Sequence, residues 1–166
     1  MTSTLTRIGA AGALLLASAL PAASAAASTA ANENTLCTIA GAVEATPGLT
    51  YTPTPGKYTV NGTMDCTSGR KGTGKLTGKG AGALGCSGGK NDAVLTVAWK
   101  DGTDSTLAVS LADFAYGTGG VGKVTKGALQ GSNVGLTWAR EAAGAEAKCA
   151  AGGIKSYQFA GGVAFS

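Results

Sequence analysis

The sequence predicts a single all-β domain, an antiparallel β-sandwich or small β-barrel of about eight strands held by two disulfides. Three observations predict it. Short segments alternate apolar and polar residues with period two, as strands with one buried face do. Glycine supplies 28 of 166 residues and aromatics only 5%, which suits turns and bulges and disfavours helices, where glycine is costly. Cys37, Cys66, Cys86 and Cys149 all follow an export signal, and an even count in an oxidising compartment forms bridges.

The export signal occupies residues 1–27. Arg7 is the only charge before Glu33, and the apolar run Ile8–Leu20 follows it, broken by Pro21. Small residues then offer cleavage at Ala23-Ser24-Ala25 or Ala25-Ala26-Ala27. A charged start, a short apolar core and a small-residue exit make a secretory signal peptide. A membrane span needs about 20 apolar residues, more than this core has. A lipid anchor is disfavoured because Cys37 stands far from the apolar core behind bulky Leu36. The expected product is secreted and extracellular, with a short flexible segment over 28–36 and the β-domain over 37–166. Without Arg7 it carries twelve basic and nine acidic residues, net +3, a mild charge that demands no anionic partner.

The first strand is expected at Cys37–Val43 and the second at Val60–Cys66, with a Pro- and Thr-rich loop containing Pro47, Pro53 and Pro55 between them. Setting Cys37 opposite Cys66 places Ile39 opposite Met64, Gly41 opposite Gly62 and Val43 opposite Val60. Apolar side chains of both strands then share one face, and a one-residue slip destroys the agreement. This favours Cys37–Cys66 and leaves Cys86–Cys149, although spacing alone allows three connectivities. A second hairpin centres on Asp101-Gly102. A two-residue turn would set Leu95 against Ala108, whereas the loop Lys100-Asp101-Gly102 pairs Leu95 with Leu107 and gives Gly102 the left-handed position. Further strands are expected around Val121–Leu129, at Val134–Trp138 and over Tyr157–Phe165. The Ala-rich stretch Glu141–Lys148 could form a helical turn, weakened by Gly144.

Candidate chemistry is sparse. Gly69-Arg-Lys-Gly-Thr-Gly-Lys75-Leu76 has the G-x-x-x-x-G-K spacing of a phosphate-binding loop. It fails because Leu76 replaces the magnesium-holding Ser or Thr, because Gly78, Gly80, Gly82 and Gly85 forbid the helix that should follow, and because the chain is exported. The expected structure there is a pair of glycine-rich strands joined by a turn. Arg70, Lys71, Lys75, Lys79 and Lys90 fall between Asp65 and Asp92 without an intervening acid. They are candidate contacts for an anionic ligand, a wall polymer or nucleic acid, since Lys71, Lys75 and Lys79 share parity. The competing role is a solvated edge whose lysines prevent aggregation, favoured because no aromatic is interleaved for stacking.

Without histidine, Ser-His-Asp and Cys-His arrangements are excluded, and with no C-x-x-C pair a zinc site is disfavoured. A carboxylate pair would have to come from Glu33, Glu44, Asp65, Asp92, Asp101, Asp104, Asp113, Glu141 and Glu146. The closest two in the domain body, Asp101 and Asp104, belong to a turn. The expectation is therefore a protein that is not an enzyme, with no catalytic, cofactor-binding or metal-binding residue. Trp99 and Trp138 share parity with Leu95, Val97 and with Val134, Leu136, so core packing is expected over sugar stacking.

These landmarks also carry a resemblance. The signal peptide, Cys37, Thr46-Pro47-Gly48-Leu49, Tyr58–Cys66, the glycine-rich run into Cys86, Trp99–Ser105, Cys149, Gly153-Ile154 and Phe159–Phe165 resemble small secreted β-rich proteins of actinobacteria such as Streptomyces. That group has no established activity or ligand, so the resemblance implies a fold and no catalytic residue. The expected function is that of a secreted, non-enzymatic binding module for cell-wall polymer or another secreted protein, without nucleotide and without membrane after signal cleavage. The alternatives are an inhibitor of an extracellular enzyme acting through the Pro47–Pro55 loop and, after it, a hydrolase with an unrecognised site.

Overall fold

Each alternating segment becomes a strand, and the strands pair in chain order until the last meets the first. The computed structural model describes residues 34–68, 71–115, 117–141, 145–151 and 153–166. The expected signal peptide and most of the 28–36 segment lie outside them. The strands are β1 (Thr35–Leu49), β2 (Thr54–Cys66), β3 (Thr73–Leu84), β4 (Gly88–Trp99), β5 (Asp104–Phe114), β6 (Gly117–Gly127), β7 (Asn133–Glu141) and β8 (Ile154–Phe165). A six-residue helix, α1 (Ala145–Ala150), precedes β8. All neighbours are antiparallel and β8 pairs with β1. The fold is a closed up-and-down barrel, not a sandwich, and closure removes both sheet edges.

The first hairpin has the expected register, with Cys37↔Cys66, Ile39↔Met64, Gly41↔Gly62 and Val43↔Val60, and both disulfides join the expected cysteines, Cys37–Cys66 and Cys86–Cys149. Such bridges fit an oxidising compartment. In the second hairpin Leu95 faces Leu107, Trp99 N–H donates to Thr103 O at 2.9 Å, and Gly102 has φ 83°.

Three boundaries differ from expectation. β1 begins at Thr35, inside the segment expected to be flexible. The Pro-rich loop shrinks to Thr50–Pro53, because Ala45↔Tyr58 and Thr46↔Lys57 continue the β1–β2 ladder past Val43. Pro47 sits where β1 loses register with β8, between Glu44 and Leu49, and Pro55 near the start of β2, positions where a missing N–H is tolerated. The glycine-rich run is one continuous strand, β3, and not two joined by a turn.

Inward positions fill the barrel. Ile39, Val43, Val60, Met64, Leu76, Leu95, Val97, Leu107, Val109, Leu136, Phe159 and Phe165 are buried among others, and Trp138 lies 5.3 Å from Phe159, centroid to centroid. Trp99 and Trp138 are both core residues, 4% and 2% exposed. Inward glycines let the strands pack closely: a Cβ at Gly80 would run into the Tyr58 ring, and one at Gly161 into the Thr137 carbonyl and the Trp138 Cα. Large residues on one strand thus face glycine on the next, which is how a chain with few aromatics packs a small barrel. An apolar interior with Lys57, Lys75, Lys79, Lys90 and Asp92 exposed outside is the reverse of a membrane barrel, whose apolar band faces outward.

Candidate functional site

Packed side chains fill the interior, and the broad concave surface lies outside the barrel. There the structure divides the lysine stripe. Lys75 and Lys79 occupy the outer face of β3, as their parity predicts, and both are exposed. Lys71 precedes the strand, so parity no longer governs it. Its ammonium donates to Asp101 Oδ2 at 2.5 Å and to Thr103 Oγ1 at 2.7 Å. The Lys71 bond, followed by those from Thr103, holds the exposed Asp101 carboxyl well below the usual carboxylate range. Lys90 stands on β4 opposite Ala83 and Ala112, far along the sheet from Lys75, and Arg70 lies outside the described residues. A single basic stripe therefore does not form.

Lys79 instead joins Lys57. Lys57 pairs with Ala81 and Lys79 with Thr59, so the two lysines stand on one diagonal of the outer face, a relation that leaves the two positions roughly 7–8 Å apart. Among the described residues neither has an ion-pair partner. They border a groove of about 920 Å³ that crosses β1 to β6. Its floor is small, from Ala81, Ala108 and Ser110, and exposed Val94 and Val121 add apolar surface. Two acids line it as well: Glu44 on β1 stands diagonally from Lys57, and Asp92 on β4, which accepts from Ser110 Oγ at 2.6 Å, stands diagonally from Lys79. Lys57 escaped the sequence reading because its segment looked like a loop, where parity assigns no face.

The second feature is inside the barrel, at the end where α1 and the Cys86–Cys149 bridge lie. Arg140 Nη2 donates to Asp113 Oδ1 at 2.7 Å, and both side chains are only 4% exposed. Its Nη1 donates to Cys86 O at 2.9 Å, and its Nη2 also to Thr118 Oγ1 at 3.2 Å. The Thr118 hydroxyl donates to Asp113 Oδ1 at 2.7 Å, and the guanidinium carbon sits 5.5 Å from the centroid of the Tyr157 ring. Beside them Tyr58 donates to Asn91 Oδ1 at 2.7 Å. Burial pushes the Tyr58 phenol up, and it pushes Tyr157 up against the opposing pull of nearby Arg140.

Sequence reasoning named Asp113 only as one carboxylate among nine and did not single out Arg140. The signal was present. Arg140 shares parity with Leu136 and Trp138, and Asp113 with Val109 and Leu111, so each charge falls on a core face at a strand end. Chemically the cluster offers a paired cation and anion, tied together by the Thr118 hydroxyl. No protein-family model, curated protein or solved structure matches the chain.

Proposed function

We propose that this is an exported, non-enzymatic binding module of the extracellular space, and that its outer groove takes an anionic cell-wall polymer. The observation that carries the reading is the Lys57–Lys79 diagonal. Among the described residues the two exposed ammonium groups have no ion-pair partner, and with Glu44 and Asp92 they line a groove six strands wide, while the interior is closed by packed side chains. Repeated carboxylate or phosphate groups along an extended chain suit a pair of lysines, and the apolar floor suits a chain backbone lying flat. The signal peptide read from residues 1–27 and the two disulfides support export. The Pro-rich segment gives less support to an inhibitor, because only Thr50–Pro53 remain outside the strands.

Co-sedimentation of the mature, oxidised protein with purified actinobacterial wall tests the reading across a salt series. Binding should fall steeply as salt rises, since exposed charges are screened over about 10 Å at 0.1 M. The double substitution Lys57→Glu/Lys79→Glu should abolish it, whereas Lys90→Glu, outside the groove, should leave it nearly intact. Absence of sedimentation at low salt removes the wall polymer as the ligand, and equal loss in both variants removes the groove as the site.

A further inference from the structure

Three polar atoms among the described residues are buried without a hydrogen-bond partner: Asp113 Oδ2, Trp138 Nε1 and Arg140 Nε. Buried polar groups left unpaired cost about 1–3 kcal/mol each, so three in one cluster require an explanation. Arg140 Nε belongs to a guanidinium already bonded through both other nitrogens and stacked on Tyr157. The other two atoms belong to residues that line one small, partly open pocket, together with Tyr58, Asn91, Thr118 and Tyr157, whose hydroxyl lies beside the Trp138 indole. The pocket's volume is about 10 Å³, room for a single water and nothing larger.

The chemistry of the wall selects the occupant. It must accept a hydrogen bond from the Trp138 indole N–H and donate one to the Asp113 carboxylate oxygen. Ammonium only donates, and it would sit beside the Arg140 cation. A halide only accepts, and it would face the Asp113 anion. An apolar molecule does neither. We infer that the barrel holds one structural water in this cavity, bridging Trp138 Nε1 and Asp113 Oδ2. The water completes the hydrogen bonding of Asp113 on the side away from Arg140 and separates the ion pair from the apolar layers beneath. The mouth thereby becomes a polar plug built from Asp113, Arg140, Thr118 and a solvent molecule, covered by the Cys86–Cys149 segment.

A high-resolution crystal structure of the mature, oxidised protein tests this directly. The expected result is one density peak in every copy, within hydrogen-bond distance of both Trp138 Nε1 and Asp113 Oδ2. A cavity without such a peak, with the indole donating to the Tyr157 hydroxyl, overturns the inference. In solution, the Trp138 indole proton should show a cross-peak to water with the sign of a molecule tumbling with the protein. Tyr157→Phe removes the competing hydroxyl and keeps the ring under Arg140. The cross-peak should survive in that variant, and its loss shows that the phenol, not water, was the partner.

Discussion

Arg140 and Asp113 place opposite charges inside an apolar barrel, where each pays a desolvation penalty that the other largely offsets. Removing one partner strands the survivor. Arg140→Met should therefore lower stability by about 3–5 kcal/mol, because Asp113 remains buried without its cation. The double variant Asp113→Leu/Arg140→Met removes both charges and should recover most of that loss. Urea denaturation of the three proteins reads the difference. A single variant costing under about 1 kcal/mol would mean that water reaches the pair and screens it. At this scale the sequence was only partly readable. Alternation places Asp113 and Arg140 on inward faces, yet their meeting depends on β5 and β7 both flanking β6, which local periodicity does not contain.

The hairpins were far more legible than the side-chain cluster. In β1–β2 and β4–β5 the register follows from matching apolar faces within one short stretch of chain, and a one-residue slip is penalised at every pair. The Lys100-Asp101-Gly102 loop adds a backbone requirement. Gly102 adopts φ 83° and a Cβ there would meet no atom within 4 Å, so a substitution is opposed by conformation alone. Gly102→Ala should cost about 1–2 kcal/mol, the penalty of a left-handed position for a residue with a Cβ, without altering the Leu95–Leu107 pairing. Thermal unfolding together with strand amide exchange checks both halves of the expectation. An unchanged melting temperature would show that the loop relaxes to a different turn. Periodicity failed at β1 beyond Val43, where Pro47 and Gly48 interrupt the pattern while the ladder to β2 continues to Thr46.

Closure belongs to the whole molecule. Thr35 pairs with Phe165 across 130 residues, and alternation looks the same in a barrel and in a sandwich, so no local segment announces that contact. The disulfides act at the same scale but by different reaches. Cys37–Cys66 spans 29 residues and Cys86–Cys149 spans 63. Constraint of the unfolded chain is then worth roughly 3.6 and roughly 4.3 kcal/mol respectively. Their native surroundings differ as well. The first bridge joins residues already opposite each other in the β1–β2 ladder, while the second ties α1 to the segment whose Cys86 carbonyl accepts from Arg140. Cys86→Ser/Cys149→Ser should accordingly be the more damaging pair, by about 0.7 kcal/mol, or threefold in the folding equilibrium. It alone should also strip amide protection from α1, while Cys37→Ser/Cys66→Ser leaves that helix protected. Urea unfolding and hydrogen exchange on both variants separate the two effects. If the Cys37–Cys66 variant proves the weaker protein, loop length is not what ranks the bridges, and the strand ends near Thr35 and Phe165 depend on the first bridge to keep the barrel closed.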